Sequence, residues 1–227
     1  SYFGDGKSNQ ALGVFGELNS MLSEYFVGIL ASYRPDRSLS LRRAVRDRGG
    51  RAIFVEYDLA VGETLTPVYR LLVDQALKEA LGRRQQAGNV YLIADEFKLL
   101  PKLQHIDDAL NFGRGLGVRV MAGIQSIDQL YDVYGKDLGA VIASGFGSIF
   151  AFHTNDGSSR DYISKRFGSN IMVYDFHDQQ SNTRAPSRER SGNTVEEWDQ
   201  LELGLGQAVI GLGYAPPFLF QFREYGK

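Results

Sequence analysis

Two adjacent carboxylates, Asp95 and Glu96, end the apolar run "VYLIADEF" at residues 90–97. The run predicts a buried strand, and open α/β sheets bind ligands at the carboxyl ends of their strands. One carboxylate there could hold the hydration shell of a magnesium ion, while the next polarises a water for attack on a γ-phosphate. The alternative is a strand that leaves the core at Asp95 with both acids in solvent. The octapeptide alone favours neither interpretation.

Two further polar residues stand next to the following predicted strand, "VRVMAGIQ". Gln125 ends that strand, and in a parallel sheet its amide would share the edge with Asp95 and could orient the attacking water. Arg114 lies in "NFGRGLGVR", where flanking glycines free a guanidinium whose rigid fork suits phosphate oxygens. The alternatives are a helix start capped by Ser126 and an arginine at the carbonyl end of a helix. Each residue alone favours its alternative.

Enzymes that hydrolyse ATP with such carboxylates also need a phosphate-binding loop. Its pattern is G-x-x-x-x-G-K-[ST], between a strand and a helix. "GDGKS" at residues 4–8 matches only the end of that pattern, since Ser1 stands where the first glycine would be. We interpret this match as a coincidence. The sequence therefore predicts the carboxylate half of a nucleotide site without its phosphate cradle.

Composition excludes several classes of protein. A formal net charge of -2 gives no overall attraction to nucleic acid, and the absence of cysteine excludes disulfides and thiolate metal sites. No apolar run is long enough to cross a membrane. A local basic cluster predicts either a solvated helix face or contact with a nucleic-acid backbone. Its members are Arg42, Arg43, Arg46, Arg48 and Arg51.

Apolar strands alternate with helical patterns, which predicts an α/β fold with a mostly parallel sheet and helices on both faces. The predicted strands are "RAIFVEYD", "NVYLIAD", "GVRVMAGIQ" and "SIFAFHT". "TPVYRLLVDQALKEALG" predicts a helix capped by Thr66, ended by Gly82, with an apolar stripe. That stripe comprises Val68, Leu72, Val73, Ala76, Leu77 and Leu81. A polar loop is predicted at 177–193, a closing hairpin turns at "GYAPP", and the core includes Phe146 and Phe150.

Three stretches together resemble the TraG/TraD-type coupling proteins of type IV secretion and conjugation. They are "IFVEYDLAVGETLTPVYRLLVDQALKEAL", "VYLIADEFKLLPKLQHIDDALNFGRGLGVRVMAGIQSIDQLYDVYG" and "VIASGFGSIFAFHTND". The resemblance implies a RecA-like ATPase fold that uses ATP and Mg²⁺. It implies that Asp95 and Glu96 are the Walker B pair, with Asp95 toward magnesium and Glu96 as the base. Arg114 would be an arginine finger acting on a neighbouring subunit, and Gln125 the sensor glutamine. We then expect Asp95, Glu96 and Gln125 at one edge of the sheet, with Arg114 near that edge.

The resemblance also implies partners and a place in the cell. Members form homo-hexamers at the cytoplasmic face of the bacterial inner membrane. They pass single-stranded DNA with relaxosome proteins, or secreted effectors, to a channel that has its own ATPases. Residues 1–48 would be the tail of an all-helical insertion and residues 49–227 the ATPase core. The membrane anchor and the phosphate-loop strand of the family have no counterpart here, so we expect this chain alone to bind ATP weakly, to be inactive and to expose apolar surface.

Two other functions remain open at this point. One is a DNA translocase of the FtsK/HerA kind, which works on duplex DNA, although "GIQSIDQLYDVYG" favours secretion. The other is a docking module that binds a relaxosome or effector protein and hydrolyses nothing. Tight partner binding without ATPase activity would distinguish that module from a motor.

Overall fold

The fold comprises two compact units, which a computed structural model places within residues 1–122 and 123–227. The structure describes residues 9–25, 39–47, 50–60, 62–83, 88–100, 102–174 and 188–223. The "GDGKS" stretch at 4–8 lies outside these residues. The predicted division after residue 48 is a different one, and it stays a prediction.

The first unit combines helices with a two-stranded sheet, and the second combines helices with a three-stranded and a two-stranded sheet, as an α/β fold allows. The elements of the first unit are α1 (Asn9–Tyr25), α2 (Leu41–Arg46), α3 (Gly62–Leu81), β1 (Val90–Ala94), α4 (Ile106–Asn111), α5 (Gly113–Leu116) and β2 (Val118–Ala122). Those of the second are α6 (Ile127–Tyr134), α7 (Lys136–Gly145), β3 (Ser148–Phe152), α8 (Gly157–Phe167), β4 (Ser169–Tyr174), β5 (Arg188–Asn193), α9 (Glu197–Leu201), β6 (Gln207–Leu212) and β7 (Ala215–Gln221).

Strands β1 and β2 pair in parallel, which confirms the predicted α/β class. Their register joins Val90 to Val118 and Ala94 to Ala122, so both strands end at the same edge. Ala94 and Val118 are buried, whereas Ile93 is 68% exposed. Within the described residues, helices therefore cover one face of this pair and not both, which corrects the sequence expectation. Tyr91 and Met121 are also exposed on the open face. The expectation that a missing strand exposes apolar surface stays a prediction.

Helix α3 confirms the predicted helix but begins earlier. It starts at Gly62, and the Thr66 hydroxyl donates to the Gly62 carbonyl oxygen at 3.1 Å, so Thr66 lies inside the helix and does not cap it. Pro67 is likewise internal, and Gly82 follows the last helical residue as predicted. The buried stripe is also rotated from the predicted one, since Leu72 is exposed. It runs through Tyr69, Val73, Leu77 and Ala80.

The segment "RAIFVEYD" is not a strand, contrary to prediction. Residues 51–58 have no regular secondary structure, and Phe54 is 92% exposed. The Tyr69 hydroxyl donates to the Glu56 carbonyl oxygen at 3.1 Å, and the Tyr57 and Tyr69 rings lie 5.3 Å apart, so α3 holds the segment by its end. A strand is defined by its hydrogen-bonded neighbour. No other described segment pairs with this one.

Two arginines of the basic cluster join α2 to α3. Ser40 caps α2 as predicted, and the Arg46 guanidinium donates to the buried Glu79 carboxylate of α3. Arg42 lies 3.7 Å from the same carboxylate, and the Gln75 amide donates to its other oxygen at 2.9 Å. Two arginines of the cluster thus neutralise a buried acid, a role that the sequence interpretation did not include.

The second unit packs helix α8 on an antiparallel sheet of β3, β6 and β7. Ala151 and Val209 of the sheet contact Ile163 of α8 in its core. The closing hairpin is confirmed, but its turn is at 213–214, and the prolines of "GYAPP" lie in β7. Proline is accepted there because β7 is paired on one side only in the described sheet.

Two other expectations in this unit are wrong. Phe150 is 49% exposed on the face opposite α8, beside other phenylalanines, and is not in the core. Residues 188–193 of the predicted polar loop form β5, which pairs antiparallel with β4. The strands pair through backbone hydrogen bonds, which do not require apolar side chains. The polar sequence of 188–193 therefore did not indicate a strand. The rest of that loop, 177–187, lies outside the described residues.

Candidate functional site at the carboxyl end of strand β1

The acidic pair lies where the sequence predicts it, directly after β1. Ala94 before the pair and Phe97 after it are both buried, and the Leu99 N–H donates to the Glu96 carbonyl oxygen at 3.1 Å. These anchors fix the backbone of the two acids between a strand and a short 3₁₀ turn, Phe97–Leu99. Asp95 is exposed and Glu96 is half-buried. Both acids are thus held in a defined position at the edge of the sheet.

The carboxylate of Asp95 suits a magnesium ion that brings its other ligands with it. Within the described parts of the chain, Asp95 makes no hydrogen bond or ion pair, and no group of three or more metal-binding side chains occurs. Mg²⁺ usually keeps several waters and takes one or two protein carboxylates together with substrate phosphates. A single exposed aspartate fits that mode of binding better than it fits a cage made of protein ligands.

Arg114 is at the other end of the strand pair. It belongs to α5, which precedes β2. Gly117, the residue between α5 and β2, accepts a hydrogen bond from the N–H of Val90, the first residue of β1, at 2.8 Å. Because β1 and β2 run in parallel, the start of β2 is separated from Asp95 by the length of β1, roughly 13–16 Å at about 3.3 Å per residue. The expectation that Arg114 lies near the edge with Asp95 is therefore wrong.

Glycines shape the loop around Arg114, as its sequence suggests, but they do different things. Gly117 has φ +79°, and a Cβ on it would lie 2.5 Å from the Gly88 carbonyl oxygen. A Cβ on Gly113 would lie 2.9 Å from the Val118 Cβ, whereas Gly115 has no atom within 4 Å. Close approach of the backbone therefore requires two of the three glycines. The Arg114 side chain itself is exposed.

Gln125 lies three residues beyond β2, since that strand ends at Ala122 and not at Gln125 as predicted. Its N–H donates to the Gln129 side-chain oxygen at 3.2 Å. Ser126 caps α6 by accepting from the Asp128 N–H at 3.1 Å, which confirms the helix start given as the alternative, and a role for Gln125 stays a prediction. Gln125 belongs to the second unit, and its proximity to Asp95 stays a prediction.

A polar cluster next to Gln125 was missed from the sequence. The Asp156 carboxylate accepts from the Ser126 hydroxyl at 2.8 Å, the Ser159 hydroxyl at 2.5 Å and the Ser159 N–H at 2.9 Å. The Ser159 and Ser126 hydrogen bonds hold the pKa of the Asp156 carboxyl below its usual value, against a weaker opposite effect of burial. "DGSS" before a helix does signal an N-cap at Asp156. Only the fold brings Ser126 to it.

Comparison with known proteins identifies the family. Residues 6–202 match the model of the type IV secretion-system coupling protein DNA-binding domain. The chain belongs to this family. It is 28% identical over 145 residues to the conjugal transfer protein TraG of Agrobacterium fabrum, covering 63% of this chain and 22% of TraG. It is 30% identical over 165 residues to protein VirD4 of Rhizobium rhizogenes, covering 66% of this chain and 25% of VirD4.

Solved structures of the coupling protein TrwB share the fold. An unbound form of this bacterial conjugative coupling protein, TrwBdeltaN70, has a TM-score of 0.84 and 25% identity, and the match covers 98% of this chain and 52% of the solved chain. TrwB in complex with ADP and Mg²⁺ has a TM-score of 0.79 and 24% identity, with 98% and 51% covered. The chain thus spans about half of the solved relatives and about a quarter or less of the curated ones. Every helix in the described ranges is too short or too polar to span a bilayer.

Proposed function

We propose that this chain is part of a motor ATPase that couples ATP hydrolysis to the transfer of DNA, or of protein, into a type IV secretion channel. The observation that carries the proposal is the exposed Asp95, held directly after a strand whose parallel neighbour ends in register and leads to Gln125. Family membership and the nucleotide complexes of TrwB support the same assignment.

Each residue of the site has a proposed role. Asp95 would hold Mg²⁺, and the ion would neutralise charge on the phosphates. Glu96 is oriented by its buried neighbour Phe97 and accepts a proton from the attacking water. Gln125 contacts the γ-phosphate or that water through its side-chain amide.

Arg114 acts on the nucleotide of a neighbouring subunit. Its place at the amino end of β2, a strand length away from Asp95, does not suit a contact with phosphate bound at Asp95 of the same chain. An exposed guanidinium at the opposite end of the sheet suits an arginine finger supplied in trans, as occurs in other nucleotide hydrolases. This role requires the homo-hexamer that the family resemblance implies.

The complete protein would supply the phosphate-binding loop, the partners and the membrane anchor. The sequence has no full G-x-x-x-x-G-K-[ST] motif, so this chain alone would bind Mg-ATP weakly and turn it over little. The proposed partners are single-stranded DNA with relaxosome proteins, or secreted effectors, together with the ATPases of the secretion channel. A membrane anchor outside this chain would hold the protein at the cytoplasmic face of the inner membrane.

Replacement of Glu96 by glutamine in the complete protein tests the proposal. Loss of a general base typically slows turnover by about 10²- to 10⁴-fold. We expect Glu96→Gln to reduce ATP hydrolysis to that extent while ATP still binds, because the amide keeps the size of the side chain. Glu63→Gln, at an exposed position of α3, is the matched control and should leave turnover unchanged. Normal turnover by Glu96→Gln, or a wild-type protein that binds a partner without hydrolysing ATP, would refute the motor assignment.

A further inference from the structure

The loop that carries Gln125 is held by a carboxylate 31 residues further along the chain. Asp156 follows β3 and caps α8, and its Oδ2 also accepts from the Ser126 hydroxyl at 2.8 Å. Ser126 in turn caps α6. One carboxylate oxygen therefore joins the first turns of two helices, each of which begins after a different strand.

Ser159 makes a second link between the same two helices. Its hydroxyl donates to Asp156 at 2.5 Å and accepts from the Ile127 N–H, the first N–H of α6, at 2.9 Å. Ser159 is buried, which limits competition from water for these hydrogen bonds. The Gln125 N–H is tied to Gln129 of α6 as well, so Gln125 follows any movement of the first turn of that helix.

We propose that Asp156 is a positioning residue for Gln125, acting through Ser126 and Ser159 to fix the start of α6. The inference rests on the proposed role of Gln125 in hydrolysis. A sensor amide must be held close to the reacting atoms, since a misplacement of about 1 Å can cost 100-fold in rate. The hydrogen bonds to an ionised acceptor are of the stronger kind, which suits this purpose.

A merely stabilising role for Asp156 predicts different kinetics. If Asp156 acts through Gln125, then its replacement should lower kcat, with little change in the KM for ATP, only while Gln125 is present. If Asp156 merely caps a helix, its replacement should lower activity by the same factor whether or not Gln125 is present. A double-mutant cycle separates these cases.

The cycle compares wild type, Gln125→Ala, Asp156→Ala and the double variant in the complete protein, by steady-state ATP hydrolysis. We expect Asp156→Ala to lower kcat about 10- to 100-fold alone and less than about twofold in the Gln125→Ala background. Asp156→Asn keeps an acceptor oxygen of the same size and should restore most of kcat. Ser126→Ala removes one bond of the cluster and should reproduce part of the loss, so the test does not depend on a single folded variant. Circular dichroism checks that each variant is folded.

Ser40→Ala is the matched control, because it removes the same hydroxyl from the N-cap of α2 in the other unit. It should leave kcat unchanged. Equal losses from Asp156→Ala in both backgrounds, or normal kcat in Asp156→Ala and Ser126→Ala, would overturn the positioning role while leaving the role of Gln125 intact. Normal kcat in Gln125→Ala would instead refute the sensor assignment, and the inference with it.

Discussion

Gly115 lies in α5, the helix that carries Arg114, and Gly117 directly follows that helix; alanine at these two positions should have opposite effects on stability. At Gly117, φ is +79°, and a non-glycine residue in this left-handed region costs about 1–2 kcal/mol. The new Cβ would lie 2.5 Å from the Gly88 carbonyl oxygen, so the backbone must shift, at about 1–3 kcal/mol by analogy with overpacked cores. The reduced entropy of the unfolded chain returns about 0.4–1 kcal/mol. The net destabilisation of Gly117→Ala is therefore about 1–4.6 kcal/mol.

At Gly115 the same substitution meets neither cost. No atom lies within 4 Å of the added Cβ, and the residue is helical within α5. Alanine should stabilise the fold here by about 0.4–1 kcal/mol. The pair is matched in chemistry and lies two residues apart, so any difference reports the local backbone alone.

Thermal unfolding of the 227-residue chain, followed by circular dichroism, measures both effects. At about 2–4 °C per kcal/mol for a chain of this size, Gly117→Ala should lower Tm by roughly 2–18 °C and Gly115→Ala should raise it by about 1–4 °C. A Tm for Gly117→Ala at or above that of wild type, or an equal lowering of Tm at both positions, would refute the claim that the backbone before β2 requires glycine at position 117.

Two further predictions follow from the positions of charged groups. Glu96→Gln and Arg114→Ala subunits, each inactive alone, should regain part of their ATPase activity when mixed before assembly. Where an Arg114→Ala subunit contacts a Glu96→Gln neighbour, the first supplies wild-type Glu96 and the second wild-type Arg114. No recovery on mixing would show that Arg114 does not act in trans. Ser159→Ala should raise the pKa of the Asp156 carboxyl, because it removes the hydroxyl donor that does most to lower that pKa from 3.8. A lowered folded-state pKa stabilises the protein above the pKa of the unfolded chain, and this stability is lost as the pH falls through the folded-state value. Acid unfolding of Ser159→Ala should therefore begin at a higher pH than in wild type, and an unchanged carboxyl titration by NMR would contradict the assignment.

Local patterns in the sequence were sufficient for several features. Strands β1, β2 and β3, helix α3 and the closing hairpin follow from apolar runs, periodicity and Gly at a helix end. The position of the acidic pair after β1 follows from the same reasoning, because two adjacent carboxylates are costly to bury and therefore mark the end of a buried strand. The order of these motifs also indicated the family, which the family model confirms.

Partners distant in the chain decided the rest. "RAIFVEYD" has the composition of a strand but no described neighbour to pair with, whereas polar residues 188–193 pair with β4 and become one. Arg42 and Arg46 pair with the buried Glu79 of α3, whereas the sequence alone assigned them to solvent or to nucleic acid.

The sequence by itself determined which segments form helices and strands near the site, and which acids follow β1. Only the tertiary structure decided that Arg114 lies a strand length from Asp95, and that Asp156 reaches Ser126. The physical reason is that periodicity, capping and turn chemistry act within a few residues. The direction of strand pairing and side-chain hydrogen bonds between elements depend instead on how distant segments pack.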